Sequence, residues 1–148
     1  MSRRRGRILA FQALYAWEMA EEALKKDRLE RLLDFSWLEE DERKVLGNAG
    51  DFSRLLITGT VENIKAVDAM ISGHLAHWDF SRLKLVDLAL LRLSVYELMF
   101  QNGVPPSVVI DEAVGISREY GADDSYRFIN GVLDGIRKTI QDGADRER

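Results

Sequence analysis

The residues best suited to bind a charged ligand lie at the start of the chain. Four arginines, Arg3, Arg4, Arg5 and Arg7, fall within the first seven residues, a segment we call the arginine tip (residues 1–7). A guanidinium is a planar fork of N–H donors that matches the oxygens of a phosphate group. Such a cluster can neutralise nucleic-acid phosphates, but it can equally be a solvated chain end. The residue types leave both interpretations open.

A second candidate is the segment Ser125-Tyr126-Arg127-Phe128, which begins the last predicted helix. The free N–H groups and partial positive charge of a helix start favour phosphate. An aromatic ring beside them can stack on an unpaired base, as in recognition of single-stranded RNA. Phe128 suits stacking and core packing equally well. The two candidate segments support one function only if the fold brings them together.

Residues for catalysis or metal binding follow no known pattern. His74 and His77 are three apart, but no third ligand is evident nearby, so we interpret them as amphipathic residues beside Trp78. Adjacent acids such as Asp123 and Asp124 point to different helical faces and are typical of helix caps or solvated charge. The chain has no cysteine, phosphate-binding glycine loop or nucleophile motif. We therefore predict no enzymatic activity, no metal and no cofactor.

Composition indicates one globular domain of 148 residues, 46% hydrophobic and 31% charged. The net charge of −4 disfavours nucleic acid, but it hides an asymmetry. Without the four arginines of the tip, 17 of the 21 basic residues face 25 acidic ones, which leaves −8 on the remainder. The apolar stretch from Ile8 to Trp17 runs into Glu18 without a cleavage-like site. We expect a cytoplasmic protein with no membrane partner.

The stretch from Leu83 to Phe100 organises the predicted fold. At helical spacing its apolar residues fill a wide arc, so it must be covered on several sides as the central helix of a bundle. Arg92 projects from the middle of that arc and needs a carboxylate partner. Asp111 and Glu112, on the following helix, are the candidates, and we predict the structural ion pair Arg92–Glu112.

The first predicted helix runs from Ser2 to Met19 and is apolar on more than one face. It is therefore either deeply buried or shared with a partner. A homodimer formed through an exposed face of this helix is the alternative to nucleic-acid binding. Arg4 and Arg7 extend the helix at its N-terminal end, where we expect both at the surface.

The remaining helices follow from the same spacing. The sequence predicts a short helix ending near Ser36, a solvated charge run at 39–44, and a long helix over about 51–75 with Gly59 marking close packing. Two helices follow the break at 102–106, one from Ser107 and one from Ser125. Gly131 and Gly135 are four apart, a spacing that lets another helix approach. We expect the polar tail at 142–148 to fray.

Four blocks of the sequence also resemble a known family, the NusB transcription antitermination factors. The blocks are Gln12-Ala13-Leu14-Tyr15 after the arginines, Leu91 to Leu98, Val104-Pro105 with Ile110 to Val114, and Tyr120 to Asp134. Their order and spacing match over nearly the whole chain, and the last block is the most specific. The resemblance implies an all-α, NusB-like bundle of about seven helices in two packed three-helix groups, forming a single RNA-binding domain over 1–148.

The resemblance also implies a function. The family binds the single-stranded boxA element of ribosomal RNA operon transcripts together with the small-subunit ribosomal protein that acts as NusE, while other Nus factors and RNA polymerase take part indirectly. By position, Tyr15 and Asp87 match the NusE contact. The implied RNA-binding residues are Arg3, Arg4, Arg5, Arg7, Asp124, Ser125, Arg127 and Phe128. The expected protein is a non-enzymatic adaptor that tethers RNA to polymerase.

Overall fold

The structure is a computed structural model that describes residues 2–76 and 79–147, without the side chain of Ser2. All regular structure in these ranges is helical, which confirms the all-α prediction. His77 and Trp78 lie outside the described residues. The α-helices are α1 (Ser2–Met19), α2 (Lys25–Leu33), α3 (Glu40–Lys44), α4 (Asn48–Glu62), α5 (Ile64–Ser72), α6 (Leu85–Phe100), α7 (Pro106–Tyr120) and α8 (Ser125–Arg146).

Helix α6 is the central helix of the bundle. It contacts α1, α4, α5, α7 and α8. On one side α1 packs against α2 and α4, and on the other α7 packs against α8, which agrees with the predicted two groups. Every residue of α6 from Asp87 to Glu97 is buried, including the polar residues Asp87, Ser94 and Glu97. Among the described helices, none combines the length and apolarity needed to cross a bilayer.

Helix α1 is buried on both of its faces. Leu9, Phe11, Leu14 and Trp17 all belong to the core, and Met19 is the large apolar residue of α1 left exposed. The exposed apolar face on which the homodimer alternative depends is therefore absent from the described part of α1. Its double-sided apolar pattern reflects its position between α2, α4 and α6.

Three predicted boundaries differ from the observed ones. The long helix predicted over 51–75 is divided at Asn63, whose side-chain amide donates to the Gly59 carbonyl at 2.8 Å and so competes with the helical backbone. The charge run at 39–44 contains α3, in which Lys44 and Glu40 pair one turn apart at 3.4 Å. Helix α8 continues to Arg146, so the tail from Asp142 is helical and exposed where fraying was expected.

The glycines expected at close helix contacts have different surroundings. A Cβ at Gly59 would overlap the ring of Tyr96, so the predicted close approach of α4 to α6 is confirmed. Gly131 is exposed and meets nothing within 4 Å, so the prediction is wrong there. A Cβ added at Gly135 would lie 3.3 Å from Cδ2 of His74, which follows α5.

A buried ion pair fastens the start of α1 to α6. The Arg7 guanidinium donates from Nε to both carboxylate oxygens of Glu97, at 3.2 and 3.0 Å, and from Nη2 to Oε1 at 2.9 Å. The two side chains are 4% and 1% exposed. The prediction that Arg7 lies at the surface is therefore wrong, because the helix turns this residue inward while its neighbours in the tip face solvent.

A second ion pair ties the end of α1 and α5 to the middle of α6. Arg92 binds Asp68 through Nε and Nη2, both at 2.9 Å, and its Nη1 binds Glu18 at 2.6 Å. Burial alone would lower the pKa of Arg92, but its hydrogen bonds to these two carboxylates raise it. Arg92 is buried and paired as predicted, but the partner is wrong, because Glu112 on α7 faces Arg4 instead.

Breaking the first of these ion pairs should destabilise the whole fold. Because Arg7→Met leaves the Glu97 charge buried and unpaired, we expect the free energy of unfolding in urea to fall by about 3–5 kcal/mol. The double variant Arg7→Met/Glu97→Met should recover much of that loss. Arg5→Met is the control, since it removes an exposed pair worth about 0–1 kcal/mol. A loss for Arg7→Met no larger than that of the control would contradict a stabilising role.

Candidate nucleic-acid interface

Two arginines of the tip are accessible on the α3–α4 side of α1. The Arg3 guanidinium lies over the Phe52 ring, with Cζ 4.5 Å from the ring centre. Arg5 Nη2 lies 3.0 Å from Glu42 Oε2, and both side chains are about half exposed. These arginines therefore have weak protein partners and open access to a ligand.

Arg4 faces the opposite side and reaches α7. Its Nη1 donates to Glu112 Oε2 at 2.8 Å, and its Nη2 donates to Glu119 Oε2 at 3.3 Å. The guanidinium passes over Gly115, where an added Cβ would lie 3.2 Å from Nη1. Arg4 therefore spans the last two turns of α7, and its side chain is still 41% exposed.

The segment 125–128, which is the first turn of α8, presents two residues outward. The Arg118 guanidinium, from the last turn of α7, lies over the Tyr126 ring with Cζ 4.4 Å from its centre. Arg127 donates from Nε to the Tyr126 hydroxyl at 3.1 Å. This hydrogen bond, together with the positive charge of Arg127, lowers the pKa of the phenol.

The arginine tip and the first turn of α8 are connected across the end of α7. Arg4 contacts Glu119, and the adjacent Arg118 contacts Tyr126. The rings of Phe11 and Tyr120 also meet, 5.6 Å apart, and join α1 to the last residue of α7. Both candidate segments therefore contact the last turns of α7, the arginine tip through Glu119 and the first turn of α8 through the adjacent Arg118.

The other side of the first turn of α8 faces a cavity of about 480 Å³, which we call the α6–α8 cavity. Asp87 of α6 lies in its wall and accepts a hydrogen bond from the Ser125 hydroxyl at 3.4 Å. Phe128 is half-buried, lines the cavity and packs against the hydrophobic core. Among the described residues, the lining is formed by Arg82, Leu83, Lys84, Asp87, Ala122, Asp123, Asp124, Ser125 and Phe128.

The structure therefore divides the RNA-binding residues that the sequence predicts. Ser125, Asp124 and Phe128 line the α6–α8 cavity, whereas Arg127 lies outside it with Tyr126. Asp124 precedes α8, but its side chain makes no capping hydrogen bond, contrary to the predicted cap. The carboxylate is exposed at the edge of the cavity.

The residues predicted for the protein partner lie close to the same connection. Asp87 is only 6% exposed, so a partner can reach it only through the α6–α8 cavity. Tyr15 is half-buried, one helical turn beyond Phe11, whose ring contacts Tyr120. Asp87 therefore borders the α7–α8 connection from α6, whereas Tyr15 packs against the hydrophobic core from α1.

Burial raises the pKa of the Asp87 carboxyl group. Desolvation raises its pKa above the ordinary 3.8, although the hydrogen bond from Ser125 and the positive charge of Lys84 partly oppose this rise. An ionised Asp87 thus costs folding free energy that its local partners do not fully offset. A group held at such a cost is a candidate for binding a partner.

Within the described residues, no group of three or more histidine, cysteine or acidic side chains could hold a metal ion. His74 accepts or donates through Nδ1 with the Met70 carbonyl at 2.9 Å and through Nε2 with the Thr139 hydroxyl at 2.8 Å. Both ring nitrogens therefore have structural partners that join α5 to α8.

Sequence reasoning missed one residue of this surface, Arg118. A basic residue in the last turn of a helix is usually explained by the helix dipole, so nothing in its position singled it out. Tyr126 was noticed as an aromatic neighbour but received no role of its own. Only the packing of α7 against α8 brings the two side chains together.

Comparison with known proteins identifies the family. The sequence model of the NusB family matches residues 4–138. The transcription antitermination protein NusB of Treponema pallidum is 51% identical over 139 residues, covering 94% of each chain. That of Treponema denticola is 47% identical over 137 residues, covering 93% of this chain and 96% of the relative.

Solved structures show the same likeness. NusB of T. maritima superposes with a TM-score of 0.77 at 37% identity, covering 92% of this chain and 90% of that one. A chain from a crystal structure of the antitermination factors NusB and NusE in complex with double-stranded RNA superposes with a TM-score of 0.75 at 27% identity, covering 93% and 97%.

The helical bundle, with arginines and an open cavity at its surface, thus belongs to a class of transcription factors. The chain is a member of the NusB family of transcription antitermination proteins. This confirms the resemblance found in the sequence and agrees with the prediction that the protein is not an enzyme.

The raised pKa of Asp87 gives a pH-dependent prediction. The pKa of the Asp87 carboxyl group is higher in the folded than in the unfolded protein. The folded protein therefore loses stability as the pH rises from the unfolded-state pKa through the folded-state pKa. Asp87→Asn removes this loss. The free energy of unfolding of the variant, relative to that of wild type, should therefore increase as the pH rises from below about 3.8 to neutral. Denaturant titrations across this range measure the difference. A stability difference that shrinks towards neutral pH would contradict the burial cost.

Proposed function

We propose that this protein binds the single-stranded boxA element of ribosomal RNA operon transcripts, together with the small-subunit ribosomal protein that acts as NusE. The assembly promotes antitermination by tethering the RNA to RNA polymerase, with other Nus factors as indirect partners. Relatives of the same fold have been solved with NusE and RNA, which supports both partner classes. The proposed RNA-binding residues are Arg3, Arg4, Arg5, Asp124, Ser125, Arg127 and Phe128, of which Ser125 is buried beside the α6–α8 cavity.

The observation that carries this proposal is the link across α7. Arg4 meets Glu119, and Arg118 meets Tyr126, so that cationic and aromatic groups from three helices meet at the last turns of α7. A continuous surface of this kind fits a strand whose phosphates and unpaired bases are contacted in turn. Arg7 is left out of the RNA contact, because its guanidinium is buried and paired with Glu97.

RNA binding requires Arg4 and Arg5 to exchange partners. Both guanidiniums pair with carboxylates in the free protein, and all of these side chains are at least a quarter exposed. Exposed ion pairs contribute only about 0–1 kcal/mol each. An RNA phosphate can therefore displace the carboxylates, while the released glutamates on α7 repel the strand and disfavour weak, misplaced binding.

The protein partner fits the region around the α6–α8 cavity. Asp87 offers a carboxylate there, and Tyr15 offers a half-buried aromatic ring on α1. Ser125 donates to Asp87 and also begins the first turn of α8, so a partner that binds Asp87 can stabilise the RNA-binding turn. Joint binding of partner and RNA follows from this shared element.

The direct test is a gel shift with boxA RNA and a scrambled RNA, each with and without the NusE-type protein. We expect boxA RNA to bind more tightly than the scrambled control, and the partner to increase the difference. Equal binding of both RNAs, with and without the partner, would reject the proposal. Light scattering of the free protein tests the homodimer alternative.

Replacing Arg4 and Arg5 by alanine should weaken RNA binding and lower its salt dependence. Each lost phosphate contact reduces the slope of log K against log salt by about 0.7 for single-stranded RNA. Fluorescence anisotropy at several salt concentrations measures both quantities. The paired variant Arg28→Ala/Arg31→Ala is the control, because it removes two exposed arginines of α2. An unchanged slope for the tip variant would exclude Arg4 and Arg5 from phosphate binding.

Asp87→Asn should weaken the partner complex without loss of stability. The substitution removes the charge that the partner recognises and also the burial cost of that charge. Calorimetric titration with the NusE-type protein measures the affinity, and Asp145→Asn, at the exposed end of α8, is the matched control. Equal affinities of wild type and Asp87→Asn would show that the partner does not read this carboxylate.

A further inference from the structure

The cluster of Arg118, Tyr126 and Arg127 has the composition of a nucleotide-binding element. One guanidinium covers the tyrosine ring at 4.4 Å, and the other is hydrogen bonded to the phenol oxygen at 3.1 Å. Both arginines are exposed, and the ring is half-exposed. In the described part of the chain, neither guanidinium is within salt-bridge distance of a carboxylate. This contrasts with Arg4 and Arg5, which must give up acidic partners before they bind phosphate.

The cluster is not needed to hold α7 and α8 together. Those helices already meet through buried apolar residues, among them Ile116 of α7 and Ile129 and Leu133 of α8. An exposed contact between a cation and an aromatic ring adds little to such a core. Two positive charges held at the surface of a protein with net charge −4 are better explained by an anionic ligand.

The position of the cluster also selects the ligand. Arg118 is adjacent in sequence to Glu119, which Arg4 contacts, so a strand that leaves the arginine tip and passes round the end of α7 can reach Tyr126. Phe128, the other aromatic of the first turn of α8, lines the α6–α8 cavity instead. Tyr126 is therefore the aromatic residue of this turn that lies outside the cavity and contacts α7.

We infer that Tyr126 is a stacking platform for an unpaired base of single-stranded RNA, and that Arg118 and Arg127 bind the phosphates that flank this base. This inference rests on the proposed function and extends it, since it assigns a base contact to Tyr126 and a phosphate contact to Arg118. The tyrosine face supplies stacking, which tolerates different bases, and the guanidiniums supply charge without prior loss of an ion pair.

The test compares three variants for binding of a short, fluorescently labelled single-stranded boxA RNA. Tyr126→Leu should weaken binding about 5-fold to 150-fold, the range measured for loss of one stacked base. Tyr126→Phe keeps the ring and should retain wild-type affinity. Arg118→Gln should lower the salt slope by about 0.7, as expected for one phosphate. A structural link between the helices would not change this slope.

Arg54→Gln is the matched control, because Arg54 of α4 also covers an aromatic ring. Its Cζ lies 4.8 Å from the centre of the Phe35 ring. Its RNA affinity and salt slope should equal those of wild type. If Tyr126→Leu does not fold, Tyr126→Trp replaces it and should bind at least as tightly as wild type.

If folded Tyr126→Leu binds the RNA with wild-type affinity, the stacking role is overturned. It is also overturned if Tyr126→Phe weakens RNA binding as much as Tyr126→Leu does. Weaker binding by Tyr126→Trp likewise overturns it. An unchanged slope for Arg118→Gln overturns the phosphate contact. Failure of the wild-type protein itself to prefer boxA RNA would instead reject the proposed function.

Discussion

The structure depends on two ion pairs of opposite polarity between α1 and α6, the first fully buried and the second partly buried. Helix α1 gives Arg7 to Glu97 of α6, and α6 gives Arg92 to Glu18 of α1, with Asp68 of α5 as the second acceptor. A helix apolar on both faces could slide or reverse in its groove at little cost. Reversing α1 would bring Arg7 towards Arg92 and Glu18 towards Glu97, and buried like charges are far more costly than the few kcal/mol of a lost pair. The pairs therefore fix the direction and register of α1.

That register determines what the remaining arginines can do. With Arg7 anchored inward, helical geometry turns Arg4 towards α7 and leaves Arg3 and Arg5 on the side of α4 and α3. The ion pairs of Arg4 and Arg5 are exposed and weak, whereas that of Arg7 is buried and strong. Four neighbouring arginines thus divide into one structural anchor and three accessible cations. The same side-chain chemistry has different roles because the surrounding dielectric and solvent access differ.

The first turn of α8 connects the two proposed binding surfaces. Its inward residues border the cavity that contains Asp87, and its outward residues meet the end of α7. A partner that engages Asp87 and an RNA strand that engages the outward side would act on the same turn. Since this turn packs on α6 through Ser125, binding of one ligand can change the affinity for the other without a large movement of the helices.

The sequence by itself determined the helices, the family and the approximate location of the functional segments. Apolar spacing identified the central helix and the double-sided burial of α1, because helical periodicity depends only on local geometry. It also showed that Arg92 needs a carboxylate. Only the tertiary structure decided that this partner is Asp68 with Glu18, that Glu112 serves Arg4, and that Arg118 meets Tyr126. Each of these contacts joins residues distant in sequence, and their choice depends on helix rotation and crossing, which one-dimensional spacing does not contain.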